Sequence, residues 1–407
     1  MQLTERISKN NVRAYIWHAA FLALAQNFID IDTIIPSMLI DAGGTSFHVG
    51  LLTAIMVGGS SFAQIFFTPI LSNKSTKKGY LLFGINLRVA VLFALGLLLF
   101  WYTSQIDHSA IIWVIFVLIT LFSISGAFAA ISYSDILGRS ILTEKRKSFF
   151  SLRQALSSAG ILISAYFAGK VLVSFEYPSN YSWLFLIAAG FLLIASFGFW
   201  KIKEIPGPIV HINSVKSYVS IIVTEIKNNK RLRHYLLLVN TLGISISFLP
   251  FIVLYAKEYF EITTSDVGTF LLLKVLAGVI FGTLLFFYSK KIKYTVLLYS
   301  IALLSLFIPI SIWVLDTPVL FGVYFFIGGI IYTLYKVAIE GVLLEVSDNQ
   351  NRTVYIGIVG VGNILPALFP IFGGWIIPHF GFKAFFLIFS LIITISMFII
   401  KKLDCKK

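Results

Sequence analysis

The stretch AYIWHAAFLALAQNFIDIDTIIPSMLI, residues 14–40, is an apolar segment that carries two carboxylates, Asp30 and Asp32. A helix crosses roughly 30 Å of hydrocarbon with about 20 apolar residues, so this segment is long enough to span a membrane. An ionised acid that faces lipid is costly and therefore needs water, a basic partner or a proton. The stretch predicts a transmembrane helix with a polar function inside it.

The composition extends this interpretation to the whole chain. Of the 407 residues, 58% are hydrophobic and 12% are charged, with a mean hydropathy of +0.91. An ordinary soluble domain is about a quarter charged, so a soluble fold could not cover this much apolar surface. The single cysteine, Cys405, excludes a disulfide framework. We predict an all-α polytopic membrane protein.

Apolar runs of sufficient length recur along the chain, and we predict twelve transmembrane helices. Their approximate bounds are 14–40, 47–71, 79–102, 110–137, 148–173, 181–200, 234–256, 267–289, 294–315, 319–346, 353–378 and 384–400.

Positive charge tests this topology, because cytoplasmic loops are enriched in Lys and Arg. With the N-terminus in the cytoplasm, 25 of the 32 basic residues fall in cytoplasmic segments, whereas only Lys257 and Lys383 fall in external loops. The remaining five lie within spans: Arg88, Arg153, Lys170, Lys274 and Lys336. The basic excess therefore reports topology rather than nucleic-acid binding, and both termini are predicted to be cytoplasmic.

The longest loop, residues 201–233, divides the spans six and six and contains a predicted amphipathic helix on the membrane surface. The two halves also repeat. At an offset of 214 residues, Gln26-Asn27 meets Asn240-Thr241, Thr33 meets Ser247 and Pro36 meets Pro250. Repeats of this kind are typical of transporters, and we predict a duplicated six-helix unit.

Twelve spans, a six-plus-six repeat, a long central loop and cytoplasmic ends resemble the major facilitator superfamily across essentially the whole chain. The resemblance implies two pseudo-symmetric six-helix bundles, residues 1–203 and 234–407, joined by a cytoplasmic linker, 204–233. It implies that the bundles rock about a central cavity lined mainly by spans one, four, seven and ten, and that the protein is a monomer.

The family's signature loop between spans two and three reads roughly Gly-x-x-x-Asp-Arg-x-Gly-Arg-Arg, and residues 69–78 here read PILSNKSTKK. Asn73 replaces the acid and Lys74 keeps the base, while both glycines are missing. By resemblance, Asp135, Arg139 and Arg146 complete a cytoplasmic charge cluster that holds the bundles outward-open. The alternative is a solvated basic loop. A Gly-Pro-x-x-Gly-Gly antiporter motif in span five is also missing.

Polar residues of the first span define a candidate substrate and proton pathway. On a continuous helix, Gln26, Asp30, Thr33 and Ser37 form one stripe flanked by Asn27, whereas Asp32 faces a neighbouring helix. We expect Asp30 to face the cavity. The alternatives are that one acid is paired for structure, or that Pro36 ends the helix early and exposes both acids.

Residues of other spans extend this pathway. Asn240 and Thr241 lie on span seven, and Lys274 enters span eight to a depth near that of Asp30, which predicts an Asp30–Lys274 pair that breaks when the outer side opens. Lys274 could instead pair within its own bundle or reach towards the surface. Two further residues, Lys336 and Glu340, are four apart on span ten and either bind substrate or neutralise each other.

The mid-span base Arg88 is expected to form a structural ion pair with Asp30, Asp32 or a carbonyl group. The six histidines have no metal-ligand spacing, and no glycine-rich phosphate loop with a lysine is present. We therefore expect no metal, no cofactor and no ATP-driven pumping.

The function predicted from these features is secondary active transport of a small organic solute across the bacterial inner membrane, coupled to protons. The partners are the solute, the proton or another coupling ion, and membrane lipid, with no nucleic acid. The alternatives are an uncoupled facilitator or lipid flippase, and a membrane-embedded enzyme or sensor.

Overall fold

The computed structural model describes residues 3–101, 108–207, 209, 214–288, 292–314, 319–346 and 358–403. Every regular element in these ranges is helical. The α-helices are α1 Glu5–Gln26, α2 Ile34–Asp41, α3 Ser46–Ser72, α4 Lys78–Phe100, α5 His108–Ser140, α6 Thr143–Ser174, α7 Ser179–Trp200, α8 Val215–Asn228, α9 Lys230–Leu242, α10 Leu249–Tyr259, α11 Thr264–Tyr288, α12 Tyr294–Val314, α13 Val319–Val346 and α14 Ile364–Lys402.

Eleven helical stretches within the described ranges are long and apolar enough to cross a membrane. The last stretch, Ile358–Lys402, contains two of the predicted spans. They are joined at Gly381, whose φ of 78° lies in the left-handed region that glycine adopts without a Cβ penalty. The prediction of an all-α polytopic membrane protein is confirmed.

Contacts divide the chain into two compact units, of which the first comprises Met1–Asp30 and Phe62–Tyr218. In this unit α1 packs along α6 and α7, and α4 packs along α5 and α7. Buried aromatic rings fill the space between α1, α5 and α7. Tyr15 meets Tyr133 at 5.2 Å and Phe199 at 5.6 Å between ring centroids.

The second unit comprises Ile31–Ser61 and Val219–Lys407. Here α11 packs along α13, α12 packs along α13 and α14, and α9 packs along α14. Stacked rings support the packing on α14, with the Phe248 and Phe389 centroids 4.0 Å apart. The predicted bounds 1–203 and 234–407 follow the sequence repeat and stay a prediction, since contacts group residues 31–61 with the second half.

The predicted amphipathic helix of the central loop is present as α8. Tyr218 and Ile222 on this helix are buried, whereas Val219 and Val223 are exposed. Burial raises the pKa of the Tyr218 hydroxyl above its ordinary value. The next helix, α9, begins at Lys230, earlier than predicted, because the Asn229 side chain accepts a hydrogen bond from Leu232 N at 3.0 Å and caps it.

Candidate functional site

The first predicted span is two helices separated by an irregular segment. Helix α1 ends at Gln26, a 3-10 turn follows at Asn27–Ile29, and Asp30 is extended with φ −64° and ψ 127°. Helix α2 begins at Ile34 and carries Pro36 in its first turn, where a missing N–H costs nothing. The predicted polar stripe required a continuous helix and is therefore wrong. Its polar residues lie at an interruption instead.

Asp32 in this irregular segment forms a buried ion pair with Lys274 of α11. The distance from Lys274 Nζ to Asp32 Oδ2 is 2.6 Å, and the two side chains are 11% and 7% exposed. The sequence analysis had predicted that Lys274 pairs with Asp30 instead. Because the chain leaves the helix before Asp30, the rotation of about 100° per residue used to orient the two acids does not apply there.

Asn27, the first residue after α1, attaches the start of the interruption to α6 within the first unit. Its Nδ2 donates to Ile161 O at 2.7 Å and to Ser164 Oγ at 2.8 Å, both on α6. Gln26 beside it is exposed and Asp30 is partly exposed, whereas Thr33 is fully buried. Asn27 therefore has a structural partner, while Gln26 and Asp30 remain accessible candidates for the pathway.

The seventh predicted span is interrupted at the equivalent place. Helix α9 ends at Leu242, a 3-10 turn covers Gly243–Ser247, and α10 begins at Leu249. The offset of 214 residues maps the first 3-10 turn onto residues 241–243, so the two turns overlap at Gly243 and the interruptions correspond to within about two residues. Sequence alone matched the residue types of these spans but gave no sign that both helices are broken.

By the sequence offset, Asn240 is the counterpart of Gln26. Its side-chain amide connects the interrupted span to another helix by hydrogen bonds, as the amide of Asn27 does in the first unit. Asn240 Nδ2 donates to Leu236 O at 2.8 Å and Gly362 O at 2.7 Å. Its Oδ1 accepts from the first two backbone N–H groups of α14, at 3.1 Å and 2.8 Å. This amide therefore caps the start of α14, where helix N–H groups have no partner of their own. Within the part of the chain that the structure describes, Thr241 beside it bonds only to its own helix.

Lys336 and Glu340 on α13 are both exposed. Neither side chain has an ion pair or hydrogen bond within the described part of the chain. The structure therefore shows no contact by which Lys336 and Glu340 would neutralise each other among the described residues. Their role in substrate binding stays a prediction.

The charge cluster predicted for the cytoplasmic side centres on Asp135 in the first unit. Its carboxylate accepts from Lys77 Nζ at 2.6 Å and pairs with Arg139 one turn away. Asn73 and Lys74 are exposed. The Arg146 side chain lies outside the described residues, so its predicted membership stays a prediction.

Sequence reasoning missed Glu204, which serves the signature loop from the exit of α7. Its two carboxylate oxygens accept from the backbone N–H groups of Lys77 at 2.6 Å and Lys78 at 2.8 Å. Glu204 therefore provides a carboxylate to the loop in which Asn73 has replaced one. The only available signal was an acid close after the sixth span.

A second ion pair that sequence reasoning missed joins Lys257 of α10 to Asp41 at the end of α2. Lys257 also donates to Ser37 O at 3.4 Å. The signal was its position as one of only two bases in predicted external loops.

The prediction for Arg88 is also corrected. Its guanidinium lies over the ring of Phe122, 4.1 Å from the centroid, and no ion pair or hydrogen bond of Arg88 occurs among the described residues. Arg88 points to an aromatic ring because Phe122 on the neighbouring helix α5 offers a face to which a cation is attracted.

Among the described residues, no group of three or more His, Cys, Asp or Glu side chains could hold a metal ion. The chemistry available at the interruption is therefore that of a buried carboxylate, an ammonium group and neutral amides. Such groups can bind a solute and exchange a proton.

Comparison with known proteins identifies the class to which this arrangement belongs. The model of the Major Facilitator Superfamily matches residues 16–361 and, in a second match, 236–403. The chain therefore belongs to the major facilitator superfamily, and it is a multi-pass membrane transporter rather than an enzyme. A search of curated protein sequences finds no match.

Solved structures share this fold at low sequence identity. The nucleoside transporter NupG has a TM-score of 0.64 at 14% identity, with 98% of this chain and 100% of that chain covered. A D-xylose-proton symporter has a TM-score of 0.66 at 12% identity, with 98% and 96% covered. A bacterial metal transporter has a TM-score of 0.60 at 14% identity, with 100% of both chains covered. The predicted superfamily fold is confirmed.

Proposed function

We propose that this protein is a secondary active transporter that moves a small organic solute by alternating access and couples the movement to protons. The observation that carries the proposal is the Asp32–Lys274 ion pair, with 2.6 Å between its charged atoms, at the interruption of the first span. A protein of the same fold is a D-xylose-proton symporter, which is consistent with proton coupling.

The position of the pair makes it suitable for coupling. A neighbouring ammonium favours the ionised carboxylate, whereas burial favours the neutral acid, so small changes around the pair shift its protonation. Protonation of Asp32 removes the attraction and leaves Lys274 without this counter-charge. If the pair exists in only one transport state, proton binding and the conformational equilibrium are linked. Asp32 lies on irregular backbone, which can move without disrupting a helix.

The proposal transfers to Asp32 the coupling role that sequence analysis gave to Asp30. Asp30 and Gln26 remain candidates for the solute pathway, together with Lys336 and Glu340. We further propose a monomer in the bacterial inner membrane with both termini in the cytoplasm.

The test uses proteoliposomes with an internal pH-sensitive dye and an imposed pH gradient. The probes are D-xylose, uridine, benzoate and phenyl phosphate, which cover neutral and acidic solutes. We expect at least one probe to drive proton flux in the wild type. Asp32→Asn should lose that flux while keeping solute exchange, and Asp41→Asn, at the more exposed pair, should keep both. The charge swap Asp32→Lys with Lys274→Asp should recover part of the flux that each single change removes.

Unchanged solute transport in both Asp30→Asn and Asp32→Asn, without proton flux in any protein, would instead identify an uncoupled facilitator or a lipid flippase. Unchanged proton flux in Asp32→Asn alone would remove Asp32 from the coupling mechanism.

A further inference from the structure

A cavity of about 510 Å³ lies within the second unit, where three segments of the chain meet. It is lined by the loop between α2 and α3, by the C-terminal end of α10 and by the bend of α14 at Gly381. Each segment adjoins a loop that the sequence analysis predicts to be external. The volume lies within the range of about 300–1,000 Å³ that is usual for small-molecule sites. Neither Asp32 nor Lys274 lines this cavity, so it is separate from the ion pair described above.

Two charged side chains, Lys257 and Glu258, line the cavity. The Lys257 ammonium group pairs with the Asp41 carboxylate and donates to Ser37 O at 3.4 Å, and the Lys257 side chain is only 9% exposed. Glu258 is exposed, and it has no ion pair or hydrogen bond among the described residues. Because Asp41 balances Lys257, the charge that the cavity wall leaves unbalanced is the carboxylate of Glu258.

Aromatic rings accompany this carboxylate in the wall. Tyr259 follows Glu258 on α10, lines the same cavity and is 58% exposed. The Tyr259 ring lies 5.9 Å from that of Phe382, another lining residue, and 4.8 Å from that of Tyr255, between centroids. The face of an aromatic ring attracts a cation, and quaternary ammonium ligands are commonly recognised by such rings. The carboxylate and the rings therefore favour the same kind of ligand.

The remaining polar side chains of the wall are already bonded within the protein. The Thr45 hydroxyl lies 2.9 Å from a histidine ring nitrogen, and the Ser46 hydroxyl donates to a backbone carbonyl group at 3.2 Å. An anion would have to displace Asp41 from Lys257, whereas a cation can approach Glu258 directly. The wall thus selects for positive charge.

The bend of α14 keeps space open beside these groups. A Cβ added at Gly381 would meet no described atom within 4 Å. Lys383, two residues after the bend, lines a different cavity together with Trp313 and Leu387, and it does not line this one. The base nearest to the bend in the sequence therefore does not cancel the charge of Glu258 in the wall.

We propose that this cavity binds a small organic cation that carries an apolar ring. Its ammonium group lies between the Glu258 carboxylate and the Tyr259 ring, and its apolar body lies against Phe382 and Pro378. The site is additional to the proposed coupling pair, and binding there requires no proton gradient.

Thermal unfolding in dodecyl maltoside, an uncharged detergent, tests this binding, because a ligand of the folded state raises the apparent unfolding temperature by mass action. The probe is benzyltrimethylammonium, with benzyl alcohol as its neutral counterpart and benzoate as an anion. At equal ionic strength we expect only the cation to stabilise the wild type. Glu258→Gln and Tyr259→Leu should each weaken its binding about three- to fivefold, the effect of losing one exposed charge or one cation–π contact.

Glu261→Gln is the matched control, because Glu261 is exposed and lies three residues further along the chain, outside the cavity wall. This variant should keep wild-type affinity. Tyr259→Phe keeps the aromatic ring and should also bind the cation as the wild type does. Glu258 and Tyr259 are both exposed, so we expect their variants to fold, and the unfolding temperature without ligand verifies this.

Equal stabilisation by the cation and by benzyl alcohol would overturn the inference, as would wild-type affinity in either Glu258→Gln or Tyr259→Leu. A response to benzoate alone would assign the cavity to Lys257 and reject the cation. Ammonium groups also occur in lipid headgroups. Stabilisation by added phosphatidylethanolamine, without a response to the soluble cation, would assign the cavity to lipid and equally overturn the inference. Loss or persistence of proton flux in Asp32→Asn bears only on the transport proposal.

Discussion

At the scale of single residues, the Asp32–Lys274 pair is the most buried of the ion pairs among the described residues. Removing one partner of a buried pair leaves an uncompensated charge and costs about 3–5 kcal/mol, whereas replacing both partners with neutral groups is often nearly neutral. We therefore predict that Asp32→Asn and Lys274→Met each lower the apparent unfolding temperature in detergent. The double variant should recover most of the loss.

The Asp41–Lys257 pair provides the control for this prediction. The Asp41 side chain is 24% exposed, against 7% for Asp32, so water weakens the attraction in the Asp41–Lys257 pair more and Asp41→Asn removes less stabilisation. Its loss in unfolding temperature should be the smaller of the two. If the Asp32 and Lys274 losses add in the double variant, the two residues do not interact and the pair has no energetic role.

The same residues show how far sequence reasoning reaches at this scale. Two acids in an apolar span indicate that polar chemistry occurs there. The predicted depth of Lys274 in its span indicated a basic partner at the same level of the membrane as these acids. The choice between Asp30 and Asp32 depends on backbone geometry, because a continuous helix and a 3-10 turn orient them differently. Arg88 was misassigned because its stacking on Phe122 joins two helices whose rotation about their own axes is not encoded in residue spacing.

At the scale of elements, the interruptions of the first and seventh spans are the principal feature. Each consists of a 3-10 turn followed by a short helix, and in each unit an asparagine amide bonds to the backbone of another span. Broken helices at corresponding places in two repeats are typical of transporter binding sites. The sequence repeat predicted the correspondence of the two spans. It could not predict their breaks, because apolar residues on both sides keep the period of a continuous helix.

Helices α11 and α13 approach each other closely at Gly329, just behind the ion pair. A Cβ added at Gly329 would overlap the carbonyl oxygen of Lys274, so the two helices would have to separate. We predict that Gly329→Ala destabilises the protein by about 1–3 kcal/mol, the usual cost of overpacking, and reduces proton flux because it displaces Lys274.

Gly282→Ala is the matched control on the same pair of helices. Its added Cβ would meet Thr333 Cγ2 at 3.7 Å, an ordinary contact, so unfolding temperature and flux should stay close to wild type. Thermal unfolding and the proteoliposome assay provide both measurements. Equal behaviour of the two variants would show that the close approach at Gly329 has no consequence for Lys274.

At the scale of the whole molecule, the length of the apolar runs was sufficient to predict the spans, and the repeat with the family resemblance predicted the superfamily fold. The twelve predicted spans follow from the length of the apolar runs, and the eleven helical stretches that the described residues contain agree once the bend at Gly381 is counted. Contacts, however, group residues 31–61 with the second half. The repeat could not indicate this, because it relates residues that are equivalent rather than residues that touch.

The charge cluster around Asp135 is predicted to bear on the equilibrium between transport states. Asp135 pairs with both Lys77 and Arg139 within the first unit, and Glu204 accepts hydrogen bonds from the loop that carries Lys77. A partly exposed pair contributes only about 0–1 kcal/mol. Two pairs on one carboxylate can nevertheless reach about 1.4 kcal/mol, which is a tenfold change in an equilibrium.

We predict that Asp135→Asn raises the inward-open fraction several-fold by leaving both bases without this counter-charge. Cys405→Ser removes the only cysteine of the chain, so cysteines introduced at cytoplasmic helix ends can report accessibility to a membrane-impermeant thiol reagent. Asp266→Asn makes the same chemical change at the start of α11, where the Asp266 carboxylate bonds, among the described residues, only to nearby Thr263. This variant should leave the labelling rates unchanged. If Asp135→Asn labels at the rate of the wild type, the cluster stabilises the loop but does not set the equilibrium between states.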